Sequence, residues 1–192
     1  MTVLTKDQII NSIEKVVKEA CQRKTNVFGF GIWTHHIIYV VKYSKMLATI
    51  LGADQEIVEI AALLHDYAGI KDFSCSKEHH IHGANEAEII LKAFNYPEDK
   101  IEKIKQCILS HRGSVIIQRN SPEEICVASA DAMAHIDQVA SLMYAAFNEL
   151  GMSIEDGKIW VREKLQRTWN KLCPEAQNIV KYKYECAIEI LK

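Results

Sequence analysis

Apolar residues recur along this chain at three- and four-residue steps, the spacing of one helical face. The first such run contains Ile9, Ile10, Ile13, Val16, Val17 and Ala20. It follows Thr5 and Gln8, which form the Thr-x-x-Gln pattern of a helix capping box. No segment keeps the strict apolar and polar alternation of a half-buried strand. The pattern therefore predicts an all-α protein.

The same periodicity and its capping signals predict about seven or eight helices. After the first, they run from the Thr34 cap to Leu51, from Asp54 to Asp66, from His82 to Phe94, from Tyr96-Pro97 to His111, from Ser121-Pro122 to about Gly151, from Ser153 to Lys171 and from Pro174 to Lys192. Residues 67–80 and 112–120 lack periodicity and are expected to form loops. We predict one bundle over residues 1–192, with a core at about 34–137 and the C-terminal helices at 153–192 packed on it.

The chain has 192 residues, of which 48% are hydrophobic, so it can bury a core as one domain. Its formal charge of -2 at pH 7 argues against duplex nucleic acid or an anionic membrane as a main partner. No apolar run has the length of a membrane span, and the first residues lack a signal-peptide pattern. We therefore expect a cytoplasmic protein. No pattern specifies an oligomeric state.

The six cysteines are scattered and show no C-x-x-C spacing. Cys107 lies between Ile104 and Ile108, on a face that is expected to be buried. This usage is typical of small apolar fillers in a reducing compartment. We therefore expect neither a disulfide framework nor a cysteine zinc site.

The eight histidines all fall between His35 and His135. The doublet His65-Asp66 ends an apolar run, and imidazole and carboxylate are the neutral and anionic ligands that divalent cations use. Neighbouring side chains project about 100° apart on an ideal helix. Both members of the doublet therefore reach one ion only if the last helical turn loosens there.

Two further residues point into the predicted core. His36 heads a stripe of Val40, Ser44 and Ala48 at four-residue steps, so its imidazole should face the bundle interior. Asp131 lies among alanines in an apolar helix, where an unpaired carboxylate would be costly. A positive group should therefore meet Asp131.

Together these residues resemble the HD-domain superfamily of metal-dependent phosphohydrolases, whose pattern is a histidine, a His-Asp doublet and a distant aspartate on helices of one bundle. The resemblance spans about Thr34 to Asp137 and places His36, the doublet and Asp131 in the right order. His82 and His111 resemble two further histidines that many members carry between the doublet and the last aspartate.

The resemblance implies one or two divalent ions per chain, which could be manganese, iron, nickel, cobalt, magnesium or zinc. It implies His36, His65, Asp66 and Asp131 as metal ligands, with Asp66 also orienting the nucleophilic water. His82 and His111 would either bind a second metal or, when protonated, grip the phosphate and assist the leaving group.

Several positions depart from the family pattern or stay ambiguous. Many relatives carry a lysine three residues after the doublet aspartate, where this chain has Gly69, with Lys71 two residues later. Lys71 and Arg112, which follows His111, are the candidate substrate-binding residues.

The remaining histidines leave alternatives. His35 is an alternative to His36 as the first ligand. His79 and His80 are expected to be solvated loop residues. His135, one turn after Asp131, is either a hydrogen-bond donor to that aspartate or a residue at the rim.

We therefore expect a phosphohydrolase that cleaves a phosphate ester of a nucleotide or another small phosphorylated molecule. Two alternatives stay open. The same scaffold with two irons could activate oxygen, in which case His82 and His111 would be metal ligands and oxygen consumption would reveal the reaction. The domain could also be a metal-stabilised ligand-binding module without turnover.

Overall fold

The computed structural model describes residues 5–112 and 118–192, and all regular structure within these two ranges is helical. The helices are α1 (Lys6–Cys21), α2 (Ile38–Leu51), α3 (Gln55–Leu64), α4 (Tyr67–Lys71), α5 (His79–Ala93), α6 (Glu98–Ser110), α7 (Pro122–Asp137), α8 (Val139–Tyr144), α9 (Ile154–Lys171) and α10 (Pro174–Ile190). Wider π-helical turns lie at Trp33–Ile37 and Ala145–Glu149, and a 3-10 helix at Phe73–Glu78. The all-α prediction is confirmed.

Helix ends lie close to their capping signals. The Thr5 side chain accepts a hydrogen bond from the Gln8 backbone N–H, and the Gln8 side chain accepts one from Thr5, so the capping box is formed. The side chains of Asp54 and Ser121 also accept hydrogen bonds from backbone N–H groups in the first turns of α3 and α7. Gly52 ends α2 with a φ of 70°, a left-handed conformation that glycine adopts without a steric penalty.

Two segments differ from the prediction. The expected loop at 67–80 contains α4 and the 3-10 helix, because buried apolar residues such as Tyr67 and Ile70 fold one turn onto the core. One turn is too short to produce a periodic signal. The helix expected to reach Gly151 ends at Asp137, since Gln138 leaves helical geometry at φ -111° and ψ 46°. Of the other expected loop, residues 113–117 lie outside the described ranges.

Helix α7 lies at the centre of the bundle and packs against α2, α3, α6, α9 and α10. Its buried face belongs to the same hydrophobic core as the large buried residues Ile37, Leu47, Leu64 and Ile108. Cys21, Cys107 and Cys126 are free and buried, as expected of apolar fillers. Among the helices described, none has the length and apolar character needed to cross a membrane.

Helix α5 approaches the end of α3 unusually closely, at Gly83. A β-carbon added there would lie 3.2 Å from the carbonyl oxygen of His65 and 3.3 Å from Ile108. The glycine therefore sets the distance between α5 and the His-Asp doublet.

Candidate metal centre

The first histidine of the site comes from the π-helical turn that precedes α2. His36 is buried within this turn, whereas His35 is exposed and its Nδ1 lies 2.7 Å from the hydroxyl of Thr34. Turns of this width often occur at functional sites because the extra residue redirects side chains. The structure thus brings His36, and not the alternative His35, into the bundle.

The doublet lies where α3 gives way to α4. Helix α3 ends at Leu64, His65 keeps helical geometry, and Asp66 leaves it at φ -104° and ψ 1°. This is the loosening that two adjacent ligands require. As a result, His65 Nε2 lies 3.2 Å from Asp66 Oδ2.

Asp131, from the middle of α7, completes a tight group of four side chains. His36 Nε2 lies 3.2 Å from His65 Nε2, 3.3 Å from Asp66 Oδ2 and 3.4 Å from Asp131 Oδ1. His36, His65 and Asp131 are buried, and Asp66 is half-buried. Four donor-bearing groups from three separate elements thus converge around one point.

A second pair of histidines faces the other oxygen of Asp66. His79 Nε2 lies 3.0 Å from His111 Nε2 and 3.5 Å from Asp66 Oδ1, and His111 Nε2 lies 3.8 Å from the same oxygen. Asp66 therefore stands between two imidazole pairs, with Oδ2 toward His36 and His65 and Oδ1 toward His79 and His111.

Backbone carbonyls fix the orientation of three of these rings. The Nδ1 atoms of His65, His79 and His111 each lie 2.6 to 2.8 Å from the carbonyl oxygen three residues earlier. A carbonyl oxygen only accepts hydrogen bonds, so each Nδ1 carries the proton and, in the neutral ring, each Nε2 presents a lone pair. Ligating histidines are typically held in this way.

These lone pairs supply a test of whether a cation fits. At 3.0 Å, the Nε2 atoms of His79 and His111 would repel each other unless a proton or a cation lies between them. Donor atoms of His36, His65 and Asp131 lie within 4.8 Å of one another, as do those of His65, Asp66 and His111. The mixed nitrogen and oxygen donors suit a divalent transition metal or magnesium. The site therefore fits one or two divalent ions.

Charges within the centre reinforce this fit. Burial alone would raise the pKa of the Asp66 carboxyl, but His65 and His36 hold it well below its usual range. For His65, burial works against protonation, yet the Asp66 and Asp131 carboxylates raise its pKa to about 9. The pKa of His111 is instead lowered to about 3 by burial and by the charge on His65. Both carboxylates are thus held in the ionised form, which is the form that binds a metal ion.

A family model for the HD domain matches residues 33–136, more than half of the chain. The chain belongs to the HD domain family. An uncharacterized protein from Clostridium beijerinckii is 33% identical over 79 residues, which are 40% of this chain and 50% of that protein. The chain thus matches about half the length of that relative.

Solved structures share the HD fold over almost the whole chain. Bacillus subtilis YpgQ matches with a TM-score of 0.74 at 18% identity, covering 98% of this chain and 94% of that one. YpgQ was also solved in complex with ADP, with a TM-score of 0.67 and coverage of 95% and 93%. A predicted HD superfamily hydrolase from an uncultured Thermotogales bacterium matches with a TM-score of 0.56 at 18% identity, covering 94% and 92%. At this identity the matches support the fold.

Of the histidines between the HD doublet and Asp131, the structure brings His79 and His111 together and leaves His82 apart. His82 is exposed, whereas His79, which was expected in solvent, lies at the centre. Helix α5 begins at His79, three residues earlier than expected. His79 lies four residues before Gly83 and so shares the face of α5 that packs on α3. That spacing is the signal that could have identified it.

Of the two basic candidates, Lys71 lies outside the centre. Its side chain is exposed and its Nζ donates a 2.7 Å hydrogen bond to Glu86. Arg112 is half-buried beside His111, and its charge helps burial to lower the pKa of His80. Arg112 thus adjoins a residue of the centre, whereas the Lys71 side chain is paired with Glu86.

The positive group expected at Asp131 is Lys171, from the end of α9. Its Nζ donates to Asp131 Oδ2 and, at 2.9 Å, to the carbonyl oxygen of His111. Burial would raise the pKa of Asp131, but Lys171 and then His135 hold it well below its usual range. His135 Nε2 lies 3.4 Å from Asp131 Oδ1, which favours its role as a donor to that aspartate.

Sequence reasoning missed Lys171, although a signal exists. Helix α9 packs on α7 through positions 157, 161, 164, 168 and 171, at alternating steps of four and three residues. Two of the five positions are lysines, Lys164 and Lys171, in a stripe that is otherwise buried and uncharged. A lysine in a buried stripe needs a partner, and Lys171 has one.

Proposed function

We propose that this HD protein is a metal-dependent phosphohydrolase that cleaves a phosphate ester of a nucleotide or another small phosphorylated molecule. The observation that carries the proposal is the convergence of His36, His65, Asp66 and Asp131, in which each histidine Nε2 lies 3.2 to 3.9 Å from an oxygen of both carboxylates, at positions that are buried or half-buried. Such a donor set is expensive to bury unless a cation neutralises it.

The residues divide between two candidate ion positions. His36, His65, Asp66 and Asp131 would hold the first ion. A divalent cation there supplies Lewis acidity, which lowers the pKa of water and neutralises charge that builds up on the phosphoryl group. His79 and His111 would serve a second ion through Asp66 Oδ1, with His79 taking the place that sequence reasoning gave to His82.

The protein's own groups would position the reactants. Asp66, whose two oxygens face the two histidine pairs, is the candidate to hold and orient the attacking water. Carbonyl hydrogen bonds lock His65, His79 and His111, so these rings need no reorganisation during the reaction. Rigid placement of this kind is what makes an electrostatic site effective.

Two observations support a phosphorylated substrate. Arg112 lies next to His111 and can bind a phosphate through two parallel hydrogen bonds. The related fold of YpgQ was solved with ADP, which supports a nucleotide phosphate as ligand here. A small anionic substrate, drawn to bound divalent ions, is consistent with a chain whose overall charge is close to neutral.

The test is metal-dependent release of phosphate. The protein is stripped with a chelator and reloaded separately with manganese, cobalt, nickel, iron, magnesium or zinc. It is then assayed against AMP, ADP, ATP and bis-p-nitrophenyl phosphate. We expect no turnover without metal and restoration by at least one ion on at least one substrate.

Failure of every ion and substrate to restore turnover would contradict the proposal. Oxygen consumption by the iron-loaded protein, with no hydrolysis, would instead indicate the di-iron oxygenase. Tight ADP binding without either reaction would indicate a ligand-binding module.

A further inference from the structure

Lys164 differs from the other lysine of the buried α9 stripe. Lys171 is paired with Asp131, but Lys164 makes no hydrogen bond and no ion pair within residues 5–112 and 118–192. It lies seven residues before Lys171 on α9, the helix that packs on α7, and it is partly buried. A desolvated ammonium without a partner destabilises a fold, so its presence calls for an explanation.

His135 supplies a second unpaired group at the same place. Its Nε2 faces Asp131 Oδ1, so Nε2 carries the ring proton and Nδ1 presents a lone pair. Within the described residues this buried Nδ1 has no hydrogen-bond partner.

His135 borders the metal centre beside His36 and Asp131: its ring stacks on His36 at 4.7 Å between centroids, and its Nε2 lies 3.4 Å from Asp131 Oδ1. Helix α9, which carries Lys164, packs against α7, the helix of His135. A ligand at the centre would therefore meet a positive charge from α9 that the family match, residues 33–136, does not contain.

We infer that Lys164 and His135 form an anion-binding subsite, in which Lys164 binds a phosphate oxygen of the substrate and His135 Nδ1 accepts a hydrogen bond from a P–O–H group or a water on that phosphate. This inference rests on the proposed phosphohydrolase function. It also accounts for the absence of the lysine that many relatives carry at position 69, where this chain has a glycine that faces His79. The subsite takes its positive charge from α9 instead.

The test measures binding of inorganic phosphate to the manganese-loaded protein by isothermal titration calorimetry. Lys164→Gln should weaken binding at least about tenfold, because a charge-assisted hydrogen bond in a partly buried site is lost. Lys164→Arg should restore binding to within about threefold. Arg167→Gln is the matched control, since it removes the same charge from an exposed position on the same helix and should change binding less than twofold.

Stability provides the second readout. Because the Lys164 ammonium is unpaired, Lys164→Met should raise the melting temperature of the metal-free protein, whereas loss of a structural lysine would lower it. Phosphate binding by Lys164→Gln within twofold of wild type would overturn the inference, as would a lower melting temperature of Lys164→Met.

The two claims fail separately. If the wild-type protein binds phosphate through Lys164 but hydrolyses no substrate, the proposed function is refuted and the anion-binding subsite still stands. Hydrolysis by the wild type combined with unchanged phosphate binding by Lys164→Gln would refute the subsite alone.

Discussion

Two regions supply different kinds of group to one site: the region matched by the HD family supplies the metal-ligand side chains, and the C-terminal helix α9 supplies positive charges. Apart from Asp131 in the middle of α7, the ligands that residues 33–136 supply come from irregular places: a π-helical turn, the break between α3 and α4, and helix ends. Helix α9 is regular over its whole length and supplies two ammonium groups. Ligands that must converge on one point need local irregularity, while long flexible lysines reach the site from an ordinary helix.

Substitution of Asp66, the residue that faces both histidine pairs, is expected to have the largest effect on hydrolysis and metal content. Asp66→Ala should reduce hydrolysis by about 10²- to 10³-fold or more and should lower the metal content measured by elemental analysis, because both candidate ion positions lose an oxygen. Asp99→Ala, an exposed aspartate on α6, is the control and should change neither quantity. Normal metal content in folded Asp66→Ala would refute the ligand assignment.

Next in size is the difference between two histidines of α5. His79→Ala should lower turnover about 10²-fold while the protein stays folded, since its Nε2 faces His111 and Asp66. His82→Ala should leave turnover near that of wild type, because His82 is exposed. Turnover and melting temperature measured on both variants decide the matter. The reverse order of activities would contradict the role of His79 in the centre.

A third prediction concerns the contact between the two regions. Lys171→Met leaves the buried Asp131 carboxylate without its ammonium partner and should destabilise the metal-free protein by about 3 kcal/mol. Added metal should recover part of this loss because a cation at Asp131 replaces the missing charge. Urea denaturation with and without manganese measures both values. Equal destabilisation in the two conditions would argue that Lys171 and the metal act on different groups.

The smallest effect is expected at a charge cluster between α3 and α6. Tyr96 and Lys100 each donate a 2.7 Å hydrogen bond to Glu56. Burial would raise the pKa of Glu56, but these bonds outweigh it and lower the pKa below the ordinary value of 4.5. Glu56 therefore stabilises the fold above about pH 4.5, and this stability is lost as the pH falls through the lowered value.

Glu56→Gln should consequently cost about 1 kcal/mol at pH 7, and its difference from wild type should shrink toward pH 3. Metal content should not change. A constant difference between the two proteins over this pH range would show that ionisation of Glu56 is not what stabilises the contact.

Much of the fold was predictable because helix ends carry local signals. Thr5, Asp54, Ser121 and Ser153 all cap the helices that follow them. The break at Gln138 was missed because no glycine or proline marks it. There, the Ser141 side chain and backbone N–H both donate to the Gln138 carbonyl oxygen, a contact that the hydrophobic pattern does not encode.

The site was predictable where a residue's chemistry conflicted with its surroundings. Asp131 among alanines required a positive partner, and the structure supplies one. The sequence did not identify Lys171, which lies forty residues away, because periodicity does not show which helices pack together. His79 was missed for a related reason, since the one-turn helix α4 and the 3-10 helix before it leave no periodic trace.

The most direct test of the account is a crystal structure of the manganese-loaded protein with anomalous scattering data recorded at the manganese absorption edge. We predict an anomalous peak bounded by His36, His65, Asp66 and Asp131, with any second peak lying between Asp66, His79 and His111. A strong peak elsewhere, for example at His82, or an empty centre in protein that carries manganese in solution would contradict the central claim that these side chains form the metal site.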